Sequence, residues 1–201
     1  MLGLFNSLDH SDPLFKKFLS RWYPENDRPK ATRQTMFILP GYDGEPMNLD
    51  TMQSLDEKTL LETKLQIQDV TNQALTDYQN IIKSSRLDLT VVDAVDKYYD
   101  RKKVVRLLKE SDPKDINNVY LKTVCQFGAM LGYLLSQNDE FGWVYAQPYF
   151  HSIVVHKKAG YAVPVFDWAV KKFSSDGIDE GFAAKYIAMV KTIQRQYLVS
   201  L

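Results

Sequence analysis

Three histidines, one cysteine and several carboxylate clusters are the residues whose types admit catalysis or metal binding. His151 and His156 lie five apart in a stretch that reads as β. An odd separation sends two side chains to opposite faces of a straight strand, so the pair cannot readily share one metal ion. His10 stands alone in the N-terminal segment. No His-x-x-x-His, Cys-x-x-Cys or carboxylate–histidine signature accompanies them, and zinc chemistry needs such ligand sets. Cys125 falls among Val124, Phe127 and Ala129 on an apolar helical pattern. A nucleophilic thiol needs a histidine or a helix N-terminus to lower its pKa, so a packed thiol is expected instead. The reading is of no catalytic residue, no metal and no cofactor.

Charge is patterned along the chain. Asp93, Asp96 and Asp100 step by three and four along one helical face, with Lys97 and Arg101 interleaved. Carboxylates converging in this way can hold a divalent cation. Asp93–Lys97 has helical ion-pair spacing, and a solvated mixed-charge face is the expectation. Arg101, Lys102, Lys103, Arg106 and Lys109 form the strongest basic cluster, suited to phosphate or to an acidic protein. The same cluster also complements the negative end of its helix. Tyr42, Asp43 and Glu45 decorate the turn-rich stretch Pro40–Pro46, a possible recognition loop. Trp22-Tyr23, Tyr98-Tyr99 and Tyr145/Tyr149/Phe150 are aromatic groupings that exceed what the helical stripes require. Amphipathic aromatics are favoured at protein interfaces and in ligand clefts.

Elements must position these groups. Ser11-Asp12-Pro13 reads as the capped start of a short amphipathic helix that ends before Pro24. Residues 24–54 are rich in Pro and Gly and read as a long irregular surface segment, with one short strand at 34–39. A helix follows from 55 to about 86, then a second from Thr90 to Lys109 with Thr90–Asp93 as a capping box. Asp112-Pro113 opens a third, to about Asn138, apolar on most sides and therefore central. Gly128 and Gly132, four apart, would let another element lie flat on it, the Trp143 segment being the nearest candidate. Trp143–Tyr145, Ser152–Val155 and Tyr161–Val163 read as a small antiparallel meander. A short helix at 166–173 and a last one containing Phe182 to Tyr197 close the chain. The expected fold is α+β in a single domain over 1–201: about five helices packed with a small antiparallel meander. Residues 115–197 would form its core helix–meander–helix unit.

Composition bounds the function. The 201 residues are 45% hydrophobic, enough for a self-sufficient core. Lys+Arg and Asp+Glu are both 25, and zero formal charge makes nucleic acid an unlikely partner. One cysteine permits no intramolecular disulfide, which fits a reducing compartment. The apolar start Met1–Phe5 is too short for a signal peptide, and the longest apolar run is too short to span a membrane. A soluble cytoplasmic protein is expected.

The segment from Tyr120 to Tyr197 resembles a functionally uncharacterised bacterial α+β domain. The residues that carry the resemblance are the helix with Gly-Ala-x-Leu-Gly (Gly128 to Gly132), Trp143 on the following strand, Pro164 and the two closing helices. Tyr133 stands where members of that family often carry an acidic residue. The resemblance implies an α+β fold and a bacterial source, and it supplies no catalytic residues.

The function expected is a non-catalytic protein-interaction module: an adaptor, regulator or immunity-type binding protein whose partner is another protein, of unknown identity, or a second copy of the chain in a homodimer. Its candidate contact residues are Trp22, Tyr23, Tyr42, Asp43, Glu45, Arg101, Lys102, Arg106, Tyr149 and His151. A small-ligand-binding protein or an enzyme of unrecognised type is the alternative. It requires a pocket that gathers Asp43, Glu45, His151, His156 or Asp167. Weak nucleic-acid binding through the Arg101–Lys109 helix is the third possibility.

Overall fold

A computed structural model describes residues 8–33, 35–82 and 88–199. Among them are α1 (Ser11–Phe18), β1 (Phe37–Ile38), α2 (Glu57–Ile82), α3 (Leu89–Tyr98), α4 (Arg101–Glu110) and α5 (Val119–Ser136). Then follow β2 (Phe141–Val144), β3 (Ile153–His156), β4 (Tyr161–Val163), α6 (Val165–Lys172) and α7 (Phe182–Val199). The class is α+β, with seven α-helices among the described residues rather than about five. No described helix is long and apolar enough to cross a membrane.

The central helix is α5. Its apolar side chains point all round, and α2, α4, α6 and the sheet pack against it. Gly128 and Gly132 make two of those contacts possible. A β-carbon at 128 would come within 2.5 Å of the Phe166 ring, and one at 132 would overlap the Trp143 indole. The sheet is antiparallel in the order β1-β4-β3-β2, with Trp143 opposite Val154 and Val155 opposite Ala162. Alternation along β3 sends Val154 into the main core and Val155 to the opposite face.

That second face explains the long 24–54 segment. Leu39, Met47, Leu49 and Met52 close over Val155 and Ala162 as a smaller core. Phe37 and Ile38 pair with Ala162 and Tyr161 as the edge strand β1. The Gln53 side-chain amide continues the sheet at its other edge. Its Nε2 donates to the Tyr145 carbonyl (2.9 Å) and its Oε1 accepts the Tyr145 N–H (3.1 Å), as a neighbouring strand would.

Helix boundaries depart from the sequence pattern in four places, each for a local reason. The expected helix 90–109 is two helices. Asp100 accepts the Lys103 N–H at 2.8 Å and so caps α4, which breaks the periodic run at Tyr99. The cap of α3 is Asp88, not Thr90; it accepts the N–H groups of Thr90 and Val91. α5 begins at Val119 with Asn118 as its cap, because Asp112 and Asp115 fold residues 112–117 into side-chain-closed turns. At α1 the expected local cap is replaced by a distant one, since Asp176 accepts the Ser11 N–H at 2.8 Å. The part of the 55–86 helix beyond Ile82 lies outside the described residues.

The three aspartates of the 93–100 face thus do three different things. Asp93 pairs with Lys97 at 2.6 Å on the surface, and Asp100 caps α4. Asp96 is buried and forms an ion pair with Lys172 of α6, itself buried. Lys172 Nζ also donates to the carbonyls of Ile178 (3.1 Å) and Glu180 (3.4 Å), tying α3, α6 and the turn before α7 together.

Candidate functional site

His151 lies in a single 3-10 turn, Tyr149–His151, rather than in a strand. That turn and the start of α6 face one another across a cavity of about 190 Å³. Val144 at the end of β2, Tyr145 just after it and Phe150 form the apolar wall; Phe166 and Asp167 lie opposite; Arg33 and Ser54 also line the cavity. Pro164 introduces α6 with its fixed φ, and this places Asp167 in the first helical turn, where a carboxylate suits the helix dipole.

The two titratable groups are perturbed in opposite directions from their usual values. Burial pushes the Asp167 carboxyl up to about 6, against a hydrogen bond from the Arg33 N–H at 2.7 Å and the Arg33 charge. Burial lowers His151, and the Arg33 charge adds to the fall. The His151 ring meets the buried Tyr23 ring edge-on, 5.2 Å between centroids, which fixes its plane. At neutral pH the cavity therefore offers a neutral imidazole and a carboxyl that takes up a proton just below neutrality. Such groups in a cleft are the features that mark ligand-handling sites.

Two serine hydroxyls, those of Ser54 and Ser152, line the cavity. The Ser152 hydroxyl accepts the Ala146 N–H at 3.0 Å and serves the local turn. Cys125 lines a different cavity, of about 210 Å³, between α2 and α5, and burial pushes its thiol up to about 12. Tyr149 borders that second cavity beside Cys125. Among the described residues no three His, Cys, Asp or Glu side chains gather as a metal site requires.

The other watched residues fall elsewhere. His156 is buried on β3, where its Nδ1 accepts the Ala159 N–H (3.0 Å) and its Nε2 lies 3.5 Å from the Glu140 carboxylate. Asp43 and Glu45 are exposed, and Asp43 accepts the Glu45 N–H to close its own turn. Tyr42 lies over Gly160, whose φ of +63° suits glycine, and its hydroxyl donates to the Lys158 carbonyl. Trp22 is half-buried under the Arg21 guanidinium. On α4, Arg101 pairs with Asp179 (2.5 Å) and Arg106 with Glu110 (2.7 Å), while Lys102 is exposed. The cavity thus unites His151 with Asp167 and leaves Asp43, Glu45 and His156 outside. Arg33 and Ser54 gave no signal in the sequence, since Arg33 acts on Asp167 through its backbone amide.

No protein-family model, curated protein or solved structure matches this chain, so the resemblance of residues 120–197 rests on their own pattern.

Proposed function

We propose that this chain is a small-ligand-binding protein whose site is the cavity between His151 and Asp167. The observation that carries the reading is a carboxyl held near pH 6 by burial in a cavity that also holds a neutral imidazole. Its volume suits a ring-sized molecule with an apolar body against Phe150 and Phe166 and a hydrogen-bond donor for Asp167. The test is an NMR titration with phenol, benzamide and 2-aminopyridine. At least one should give saturable shifts confined to residues 144–152 and 164–168, with affinity changing around pH 6 and lost in Asp167→Asn. No saturable shift at those residues, or binding indifferent to Asp167→Asn, would overturn it.

A second reading is the protein-interaction module, in the cytoplasm, with a protein partner or a second copy of the chain. It is supported by Leu61 and Leu65, one turn apart on α2 and 59% and 49% exposed. Their replacement by lysine should abolish self-association or partner capture and leave ligand titrations unchanged. Association of wild type and variant to the same extent would remove α2 as the contact.

A further inference from the structure

A third cavity, of about 290 Å³, lies between α6, the start of α7 and the Thr35–Met36 segment. Trp168 and Met36 supply its apolar surface, and both pack onto the main core. Lys171, Lys172 and Lys185 line it together with Glu180. Two of these charges are already answered. Lys172 pairs with Asp96 behind the wall, and Lys185 pairs with Glu180. Lys171 Nζ has no hydrogen-bond or ion-pair partner among the described residues. Lys185 stands in the first turn of α7, at the positive end of its dipole. Its ammonium is held below the usual lysine value by burial and then by the Lys171 and Lys172 charges. The cavity is therefore a flat aromatic floor under an uncompensated positive charge.

We propose that this cavity binds a small organic anion, its planar body against Trp168 and Met36 and its carboxylate or phosphate held by Lys171 and Lys185. An ammonium group beside a partly dry aromatic surface rewards a ligand that carries both features, because neither water nor a bare anion meets both at once. Thr35 and Lys171 also border the open polar groove that contains His10 and Asp176, which gives a ligand a route in from solvent. The Asp12 and Asp176 carboxylates of that groove are hydrogen-bonded by Thr32 and by Ser11 and His10 and keep their negative charge, so the attraction for an anion comes from Lys171 at the cavity itself.

The experiment is an NMR titration of the full chain with benzoate, phenyl phosphate and, as a neutral isostere, benzyl alcohol. Benzoate or phenyl phosphate should give saturable shifts at residues 168–172 and 185–188, and the tighter of the two names the head group. Benzyl alcohol should bind at least about ten-fold more weakly, and Lys171→Gln should weaken the anion about five- to ten-fold. Lys171 is only half-buried, so this variant should keep the wild-type melting temperature. Equal affinity for benzoate and benzyl alcohol, unchanged affinity in Lys171→Gln, or no saturable shift at these residues would each overturn the proposal. Shifts at residues 144–152 belong to the His151–Asp167 cavity and leave the two sites distinguishable.

Discussion

Replacing Lys172 with methionine removes one half of a buried ion pair and leaves the other half, Asp96, in place. Side chains at both positions are almost wholly out of solvent, 4% and 7% exposed. Water therefore cannot rehydrate the orphaned carboxylate without opening α3 from α6. Breaking such a pair costs about 3–5 kcal/mol, because the remaining charge keeps its desolvation penalty and loses its counter-charge. Lys172→Met also strips the donor from the Ile178 and Glu180 carbonyls, so the loss should fall in the upper part of that range. For a chain of this length 1 kcal/mol corresponds to roughly 2–4 °C, so the melting temperature should drop by about 10 °C or more. Asp96→Leu should cost a similar amount. The double variant, which removes both charges and keeps apolar volume, should be more stable than either single one. The assay is urea unfolding followed by far-ultraviolet circular dichroism on wild type, both single variants and the double. If either single variant costs under about 1 kcal/mol, or the two losses simply add, the pair is not the buried lock described here.

Three further outcomes follow from the same geometry. Gly132→Ala should destabilise by about 1–3 kcal/mol by driving a methyl group into the Trp143 ring, outweighing a gain of about 1 kcal/mol in helix propensity; Trp143→Leu in the same chain should recover part of the loss in a thermal melt. The clamp between His10 and Asp176 has a defined pH window. Asp176, lowered to about 2 against its burial by hydrogen bonds from His10 and Ser11, contributes above the normal aspartate range and loses that contribution as pH falls toward 2. His10, raised by its hydrogen bond to Asp176, contributes fully below its ordinary 6.5 and loses that as pH rises through its elevated value. Protection factors of the Ser11 and Ser175 amides, corrected for intrinsic exchange, should therefore be highest between about pH 4 and 6.5, and a flat protection profile across pH 3–8 would disprove the clamp. Cys125 should resist thiol reagents at pH 8 in the native protein and react at once in urea; rapid native labelling would contradict its burial.

What was legible in the sequence was mostly periodic. Val154, Val163 and the Gly128–Gly132 spacing announced the sheet and the flat contact on the central helix, since both are set by side-chain repeat. What was not legible depended on partners far along the chain. Asp93, Asp96 and Asp100 look alike by spacing, and only Lys172, on another helix, distinguishes the buried one. Ser11 and Asp12 looked like a self-sufficient cap, yet Asp176 from the opposite end of the chain takes the Ser11 amide. The 24–54 segment looked irregular because its apolar residues answer to the outer face of the sheet and not to one another. The same limit applied to the site. His151 and Asp167 stood out as chemical types, but their shared cavity is produced by the 3-10 turn, and Arg33 entered through a backbone amide that no side-chain pattern records.

The edge strand β1 carries a consequence for the order of assembly. Phe37 faces Ala162, so two residues of strand close a loop of more than a hundred residues. Closing a loop of that length is entropically unfavourable, and two ladder positions recover little of the cost. β2, β3, β4 and α6, by contrast, are neighbours along the chain and close over short connections. The sheet should therefore form first as three strands on α5, with β1 and the Leu39–Met52 cover arriving last and opening first. While that cover is open, β4 presents a bare edge to any other chain. The weak link between distant ends is then also the guard against strand-to-strand aggregation.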